Sequence, residues 1–426
     1  MEPIRIAGNF IGARSEPWPT DWCTWSPRAA LAPTFRVDDT GGRDGSAALL
    51  IAGNRDRAAY GEWRRRVDNI VGGQLYRFTT HYRAQNVTDP RQQLTARLEW
   101  VGIKDPHEHM PVYALETHRQ GDWIRCSHVT LAPADATRAL IRLGLRWCPD
   151  GKVWWDGVQV EQVTDAPARP VHLATVFHRP RDTASPAASV AQFVDVLTRH
   201  APPPESKLDI VCLPEAMTMI GTGLTYADVA EPVPGPTTTT LGALAAKLNC
   251  YLVAGLIECD GDKLYNTAAL LDRRGQLIGK YRKTHLPQGE ADGGLTPGDD
   301  YPVFDTDFAR VGILVCWDIQ FPEAARALAS RGAELLLLPI WGGNELLTRA
   351  RAIENHVFVI SSSYDMKSMI IDPTGRVLAQ ADPNDPAATQ QPVISATVDL
   401  ALPILQPWLG DMRTGTWAER RSDLRQ

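Results

Sequence analysis

The sequence predicts two differently built domains: an all-β sandwich of jelly-roll type over residues 1–165 and a layered α/β domain over residues 170–426. Three observations lead to this prediction. Apolar and polar residues alternate with a period of two in the first part, whereas apolar strands alternate with helical patterns in the second. The length of 426 residues suits two or three domains of about 150 residues each.

The first part contains the signature of half-buried strands. Segments 76–82, 96–100 and 141–147 place apolar side chains on one face and mostly polar or small ones on the other, and segment 158–161 repeats the pattern. Such alternation is typical of antiparallel strands with one face on a core and one in water. Because turn signals separate these runs and no helical stripe is evident, we predict a jelly-roll β-sandwich.

The second part begins after a proline-containing stretch, residues 165–170, which we predict to be the linker. Its apolar strands and amphipathic helices alternate, which is typical of an α/β layered domain. The predicted strands are 171–177, 208–213, 251–258, 311–315 and 334–340, and the predicted helices are 185–198, 237–248 and 322–330. The polar tail from residue 407 is predicted to be a C-terminal arm.

Composition excludes several classes of protein. With 44 Lys plus Arg against 50 Asp plus Glu, a net charge of −6 argues against binding nucleic acid by phosphate neutralisation. The longest apolar runs are far shorter than the ~20 residues that span a bilayer. Seven widely spaced cysteines without a CxxC pair, after an N-terminus unlike a secretory signal, favour reduced thiols and a cytoplasmic location.

Three residues with reactive side chains mark a candidate site. Glu215 follows strand 208–213, Cys316 ends strand 311–315, and Lys283 lies in a basic run. The ends of strands are the usual place for functional groups in α/β domains. Each residue alone has an ordinary core or surface explanation. Together, a buried carboxylate could take the proton of a thiol, and a lysine could stabilise the negative charge that forms when the thiolate attacks a carbonyl.

Five motifs follow one another in the second part: Leu-Pro-Glu at 213–215, Tyr-Arg-Lys-Thr-His-Leu at 281–286, Val-Cys-Trp-Asp-Ile-Gln-Phe-Pro-Glu at 315–323, Arg-Ala-Ile-Glu-Asn at 351–355 and Ile-Asp-Pro-Thr-Gly at 371–375. In these motifs and their order, residues 170–426 resemble the carbon–nitrogen hydrolase (nitrilase) superfamily. The resemblance implies a four-layer α-β-β-α sandwich with a Glu215–Lys283–Cys316 triad.

The resemblance also implies a role for each site residue. Glu215 would deprotonate Cys316, which would attack the carbon of an amide-like group. The ammonium of Lys283 and the backbone N–H of Trp317 would hold the oxyanion. Ammonia or an amine would leave, and water would hydrolyse the resulting thioester. Glu290 is the candidate for the second glutamate that often orients such sites, with a solvated loop charge as the alternative.

Several substrate classes stay open at this point. The motif at 316–323 resembles the amidase and carbamoyl-amidase branches, and Asp318 stands where true nitrilases commonly have Glu. Trp341, Gly342 and Asn344 follow a predicted strand and are expected to line the substrate pocket. The alternatives are nitrile hydrolysis or acyl transfer on the same triad, and a binding or scaffold protein with an inactive hydrolase half.

The expected partners are a small-molecule amide, carbamoyl or nitrile substrate and further copies of the chain in a homodimer or larger homo-oligomer. No cofactor and no metal ion are expected for this chemistry. The close histidine pair in His107-Glu108-His109 is predicted to lie in a solvated loop. Glu354 and Asn355 are predicted to brace the domain and not to contact substrate.

The first part also holds most of the tryptophans, and in pattern alone it resembles carbohydrate-binding-module-like jelly rolls. Exposed aromatic rings that stack on sugars would make it a glycan-binding domain. Core packing is the alternative, and Trp100 and Trp147 are predicted to be core because they fall on the apolar faces of their strands. A structural or oligomer-forming role is favoured, since this fold hosts many functions.

Overall fold

The computed structural model describes residues 4–11, 19–104, 111–166, 168–202, 207–406 and 409–420. Its internal contacts divide the chain into two compact units, which are Met1–Pro167 together with Pro403–Gln426, and Ala168–Leu402. The histidine pair of His107-Glu108-His109 lies outside the described residues. None of the helices in these described ranges combines the length and the apolar composition that a membrane-spanning helix needs.

The secondary-structure elements follow in chain order. The first unit begins with β1 (Ile6–Ile11), β2 (Trp22–Ser26), β3 (Thr34–Asp38), β4 (Ala48–Ala52), β5 (Tyr60–Val67), β6 (Leu75–Gln85), α1 (Pro90–Gln93), β7 (Leu94–Val101), β8 (Pro111–Tyr113), β9 (Leu115–Gln120), β10 (Trp123–Leu131), β11 (Arg138–Arg146) and β12 (Lys152–Val163).

The second unit contains β13 (Pro170–Val176), α2 (Pro186–His200), β14 (Ile210–Cys212), α3 (Tyr226–Val229), α4 (Pro236–Leu248), β15 (Tyr251–Asp260), β16 (Lys263–Leu271), β17 (Leu277–Arg282), α5 (Gln288–Asp292), β18 (Val303–Asp305), β19 (Arg310–Ile313), α6 (Pro322–Ser330), β20 (Leu335–Pro339), α7 (Glu345–Asn355), β21 (Phe358–Ser362), β22 (Ser368–Ile371), β23 (Val377–Ala381), α8 (Pro386–Gln390) and β24 (Val393–Asp399). The chain returns to the first unit with β25 (Leu405–Gln406), β26 (Gly410–Asp411) and α9 (Met412–Glu419).

The first unit is a sandwich of two six-stranded sheets, ordered β1-β2-β5-β11-β7-β8 and β3-β4-β12-β6-β10-β9. Strands β4-β12-β6-β10 face β5-β11-β7-β8, so the chain alternates between the sheets as in a jelly roll. The inward faces of the alternating strands form one core that includes Trp63, Phe78, Leu98 and Trp155. The all-β prediction for this region is confirmed.

Two tryptophans that share the same sequence pattern differ in the structure. Trp100 on β7 is buried, as predicted. Trp147 was expected in the core but is 43 % exposed, and that expectation is wrong. The reason is local: β11 ends at Arg146, and Trp147 takes a left-handed φ of 56°, which breaks the alternation of faces. The Arg146 guanidinium packs over the Trp147 ring instead, 4.5 Å from its centroid.

The C-terminal segment packs with the β-sandwich, which differs from the boundary predicted from the sequence. The guanidinium of Arg91 lies 4.0 Å from the ring centroid of Trp417 on α9. The hydroxyl of Tyr113 on β8 donates to the Glu419 carboxylate, and Arg146 Nη2 donates to the carbonyl of Ala418 at 2.9 Å. Such long-range contacts leave no signal in the sequence of the tail, which therefore looked like an extension of the second domain.

The second unit has four layers, as the resemblance implies. Sheets β17-β16-β15-β14-β13-β24 and β18-β19-β20-β21-β22-β23 pack face to face on an apolar core that includes Leu173, Val253, Ile313 and Leu337. Helices α2 and α4 cover the outer face of the first sheet. Helices α6 and α7 cover the outer face of the second. The α-β-β-α prediction is confirmed.

Helix boundaries in this unit follow local sequence chemistry. Helix α2 begins after Ser185, whose side chain accepts a hydrogen bond from the Ala188 N–H and so satisfies an otherwise unpaired donor of the first turn. Helix α6 begins at Pro322, as predicted, because proline suits the first turn. Beyond its end, Gly332 adopts a φ of 94°, a left-handed conformation that favours glycine.

The directions of the strands place the candidate site residues at the carboxyl ends of strands in both sheets. Strands β13, β14 and β15 are parallel, and β17 runs the same way because two antiparallel pairings separate it from β15. Strands β19, β20 and β21 are parallel in the other sheet. Glu215, Lys283, Cys316 and Trp341 each follow the carboxyl end of one of these strands, where α/β proteins commonly place reactive groups.

Candidate active site

Glu215 lies in a tight turn just beyond the carboxyl end of β14. Ala216 has a φ of 48°, and a Cβ on Gly255 of the neighbouring strand β15 would lie only 2.6 Å from the Glu215 Cα. Position 255 therefore requires glycine if the turn is to keep its place. Because Glu215 is 2 % exposed, its carboxylate depends on hydrogen-bond partners inside the protein.

Both carboxylate oxygens of Glu215 have such partners. Oε1 accepts from Lys283 Nζ at 2.9 Å and from Asn266 Nδ2 at 2.7 Å. Oε2 accepts from the backbone N–H of Trp341 at 2.8 Å. The backbone carbonyl of Glu215 accepts from the Tyr364 hydroxyl at 2.9 Å. These four partners come from β16 and from the segments that follow β17, β20 and β21, so both sheets hold Glu215 in place.

Lys283 follows β17 and is completely buried. Its ammonium donates to Glu215 Oε1 and, at 2.6 Å, to Glu290 Oε1. Burial alone would lower the pKa of Lys283, but the negative charges of the Glu215 and Glu290 carboxylates outweigh it and raise the pKa above its ordinary value. The side chain therefore stays a cation at neutral pH.

Cys316 begins the one-turn 3₁₀-helix Cys316–Gln320 that follows β19, with a φ of 44°. Its Sγ lies 3.8 Å from the carbonyl oxygen of Gly342. Burial raises the pKa of the thiol, and the Glu215 carboxylate raises it further. The charge of Lys283 and the N–H of Trp341 act in the opposite direction, and the result is a pKa of about 12. Near neutral pH the Cys316 side chain is therefore a protonated thiol.

Asp318 connects the loop that carries the lysine to the loop that carries the cysteine. The carboxylate is fully buried and accepts from the Tyr281 hydroxyl at 2.7 Å, the Val315 N–H at 2.9 Å and the His285 N–H at 3.0 Å. The His285 ring stacks on Phe321 with centroids 4.0 Å apart. Sequence reasoning used Asp318 to separate substrate classes, whereas its contacts make it the support of both loops.

The structure places Glu290 and Trp317 as follows. Glu290 lies on α5, where its side chain is 12 % exposed and contacts Lys283. Burial raises the pKa of this carboxyl, Lys283 lowers it, and Glu215 raises it again, with a net upward shift. These contacts differ from those of a solvated loop charge. Trp317 lies in the first turn after Cys316 and is 40 % exposed. The roles of both residues stay predictions.

The three residues predicted to line the pocket occupy the turn between β20 and α7. Trp341 contributes its backbone N–H to Glu215, and its ring packs on Tyr364 with centroids 5.3 Å apart. Gly342 presents its carbonyl to the thiol. Asn344 uses its side-chain oxygen to cap α7, where it accepts from two backbone N–H groups. Contact of any of these residues with substrate stays a prediction.

Sequence reasoning missed two residues at this site. Asn266 on β16 donates to Glu215, and the available signal was an amide inside a mostly apolar strand. Tyr226 on α3 belongs to the apolar cluster that also includes Trp341. Burial raises the pKa of the Tyr226 phenol, and the nearby carboxylates of Glu290 and Glu215 raise it further. Its helix is a single turn, and the available signal was the Thr225–Asp228 capping box at the start of that turn.

An ion pair lies next to Trp341. Arg179 follows β13, is 40 % exposed in its side chain and bonds to Asp365, which follows β21. The Arg179 guanidinium lies 5.7 Å from the ring centroid of Trp341 and 5.9 Å from that of Tyr364. A Cβ on Gly342 would lie 3.1 Å from the Asp365 Cβ. The ion pair therefore packs against Gly342, the residue whose carbonyl contacts the Cys316 thiol.

The motif at 351–355 supports the cysteine-bearing turn from behind. Arg351 on α7 donates through Nε and Nη2 to the carbonyl of Ile319, at 3.2 and 2.9 Å. Its Nη1 donates to the Glu354 carboxylate at 3.0 Å, and Asn355 donates back to the Arg351 carbonyl. These contacts agree with a bracing function for Glu354 and Asn355.

The geometry defines a protein with a buried acid, a cation and a thiol at the carboxyl ends of strands in a four-layer α-β-β-α unit. The model of the carbon-nitrogen hydrolase family matches residues 173–403, more than half of the chain, and the chain belongs to this family. It is therefore an enzyme that hydrolyses amide-type carbon–nitrogen bonds, which confirms the expectation of a hydrolase.

Curated relatives include two named as omega-amidase NIT2. The Homo sapiens protein is 35 % identical over 220 residues, which are 45 % of this chain and 76 % of the relative. The Danio rerio protein is 33 % identical over 247 residues, 50 % of this chain and 83 % of the relative.

Solved structures similar to this chain include two from the nitrilase superfamily. Nit3 of Saccharomyces cerevisiae, from branch 10 of the nitrilase superfamily, aligns with a TM-score of 0.48 and 26 % identity, covering 54 % of this chain and 90 % of that one. An amidase of Nesterenkonia AN1 from the same superfamily aligns with a TM-score of 0.48 and 23 % identity, covering 61 % and 97 %.

Proposed function

We propose that this enzyme hydrolyses small primary amides through a thioester on Cys316, with Glu215 as the base and Lys283 as the fixed cation. The observation that carries the proposal is the convergence of these three side chains. The Lys283 ammonium bonds Glu215 Oε1 at 2.9 Å, and the same carboxylate interacts with the Cys316 thiol. All three come from different strand ends, and the general base and the cation are buried.

The first step follows from the protonation states. A thiol with a pKa of about 12 is almost entirely protonated near neutrality, so its proton must leave as the sulfur attacks the amide carbon. Glu215 accepts that proton. The C–S bond forms while the carbonyl π electrons move to oxygen, which gives a tetrahedral oxyanion.

The oxyanion needs a positive environment that does not have to reorganise. Lys283 supplies it, because its raised pKa keeps the ammonium charged and its two carboxylate contacts hold it in place. The backbone N–H of Trp317, next to the nucleophile, is the second proposed donor. A single donor of this kind is typically worth about 100- to 1,000-fold in kcat.

Proton return completes the cycle. The oxyanion collapses, the C–N bond breaks, and the nitrogen takes the proton that Glu215 received, leaving as ammonia. Water then attacks the thioester, gives a proton to Glu215, and the C–S bond breaks as the sulfur recovers that proton. One amide and one water become one carboxylic acid and one ammonia, and the enzyme returns to its first state.

For the substrate, we propose a carboxamide whose far end carries a carboxylate. The name omega-amidase of the relatives supports an amide at the omega position. The apolar cluster of Tyr226 and Trp341 offers a wall for a short carbon chain. Beyond Trp341, the half-exposed guanidinium of Arg179 forms an ion pair with Asp365. The carboxylate of the substrate could take the place of the Asp365 carboxylate in this ion pair.

The test is ammonia release from a panel of primary amides, N-carbamoyl amines and nitriles, with and without a distal carboxylate. The matched control is Cys316→Ala, which changes only the sulfur. The proposal expects the highest kcat/KM for carboxylate-bearing amides and no turnover in the variant. Equal ammonia release by wild type and Cys316→Ala would reject the mechanism, and product analysis with added amines would detect acyl transfer.

A further inference from the structure

Asn266 makes contacts that the triad alone does not explain. It lies on β16, is 2 % exposed, and its Nδ2 donates to Glu215 Oε1 at 2.7 Å. The same Nδ2 is 3.5 Å from both oxygens of Glu290. Its backbone carbonyl accepts from the Lys283 N–H at 2.9 Å. One residue therefore touches both glutamates and the lysine.

We propose that Asn266 is a positioning residue that determines which oxygen of Glu215 takes the thiol proton. The proposal rests on the function proposed above. An ionised carboxylate has about four lone-pair sites. On Glu215, Asn266 and Lys283 use both sites of Oε1, and the Trp341 N–H uses one site of Oε2. The single site left, on Oε2, is the one available to the Cys316 thiol.

Removing the Asn266 amide would open a second basic site on Oε1, beside the ammonium of Lys283. A proton held there would be shared with the lysine side of the cluster and would not pass between Cys316 and the leaving nitrogen. The carboxylate would also lose one of the three hydrogen bonds that favour its charged form.

The charge of the cluster explains why the donor should be neutral. Glu215 and Glu290 share one cation, and burial together with the like charge already raises the pKa of Glu290. A third carboxylate would force one of the three to keep a proton. An amide donates to both glutamates and adds no charge.

The other end of the amide is consistent with this orientation. The Oδ1 of Asn266 is buried and has no hydrogen-bond partner among the described residues. Buried acceptors in folded proteins are nearly always paired. The side chain thus points its N–H groups at the two glutamates at the expense of its own acceptor, which indicates that the donor function determines its placement.

Two variants test the proposal through opposite shifts in pH dependence. Asn266→Leu keeps the size and removes both donors, so kcat falls by about 100-fold or more and the acidic limb of the kcat profile moves to higher pH. Asn266→Asp can donate only while protonated, so activity is kept at low pH and the basic limb moves to lower pH. KM for the amide changes less than kcat in both variants.

Thr267→Val is the matched control on the same strand. Thr267 is fully buried, and its hydroxyl donates to the Glu258 carboxylate at 2.7 Å, on the face away from the site. We expect its kcat within about twofold of wild type and an unchanged pH profile. Circular dichroism of each variant reports the fold, and if Asn266→Leu does not fold, the near-isosteric Asn266→Asp decides alone.

Unshifted limbs with kcat near that of wild type in the Asn266 variants would overturn the proposal. A similar loss of kcat in Thr267→Val would also overturn it, because the effect would then be structural. Failure of the underlying function looks different: Cys316→Ala would release ammonia as fast as wild type, whatever the Asn266 variants do.

Discussion

Substitution of Asp318 should destabilise the second unit and inactivate the site together. In Asp318→Ala, the buried Tyr281 hydroxyl and Val315 N–H lose an acceptor, and the part-buried His285 N–H loses one as well. An unpaired buried donor costs about 1–3 kcal/mol. The free energy of unfolding should therefore fall by about 3–5 kcal/mol. Asp318→Asn keeps one acceptor oxygen, and its loss should be about half as large.

Activity should fall with stability, because the loops that carry Lys283 and Cys316 are both tied to Asp318. The assay is urea unfolding followed by circular dichroism, with kcat/KM measured on the folded variants. Asp260→Ala is the control, since Asp260 is an exposed carboxylate paired with Arg282. We expect no measurable change in its unfolding midpoint. A change below about 1 kcal/mol in Asp318→Ala would refute the reasoning.

Three further predictions concern ionisation, specificity and assembly. Because burial raises the pKa of Cys316 to about 12, the ultraviolet thiolate signal of wild type minus Cys316→Ala should stay flat from about pH 6 to pH 9, and a step near neutrality would contradict this. Arg179→Met should raise KM about tenfold or more for amides with a distal carboxylate and leave neutral amides unchanged, with Arg181→Met as control. An equal effect on both amides would reject the carboxylate partner. Sedimentation should show a homodimer or larger assembly, and a monomer at all concentrations would count against it.

Much of the second unit could be predicted because its signals are local. The predicted helix 322–330 matches α6 at both ends, since a proline begins it and a glycine follows it. Strand 334–340 corresponds to β20, a short apolar run that the sequence bounds clearly. The order of five motifs then located Glu215, Lys283 and Cys316, and the structure brings these residues together.

The remaining features depend on contacts between distant segments. The pattern of β16 predicts a strand but does not show that the amide of Asn266 meets a glutamate 51 positions away. The exposure of Trp147 depends on one backbone angle, which periodicity cannot supply. The packing of α9 depends on partners such as Arg91, more than 300 positions earlier in the chain. The spacing of residues within a short segment does not predict which distant polar or aromatic residue will contact it.

The most direct test of the proposed chemistry is identification of the acylated residue during turnover. The wild-type enzyme would be quenched early in the reaction with a primary amide, digested and analysed by mass spectrometry. We expect the peptide containing Cys316 to gain the mass of the acyl group through a bond that hydroxylamine cleaves, in step with ammonia release. Ammonia released while the acyl group is on another residue, or on none at any quench time, would contradict the nucleophilic role of Cys316.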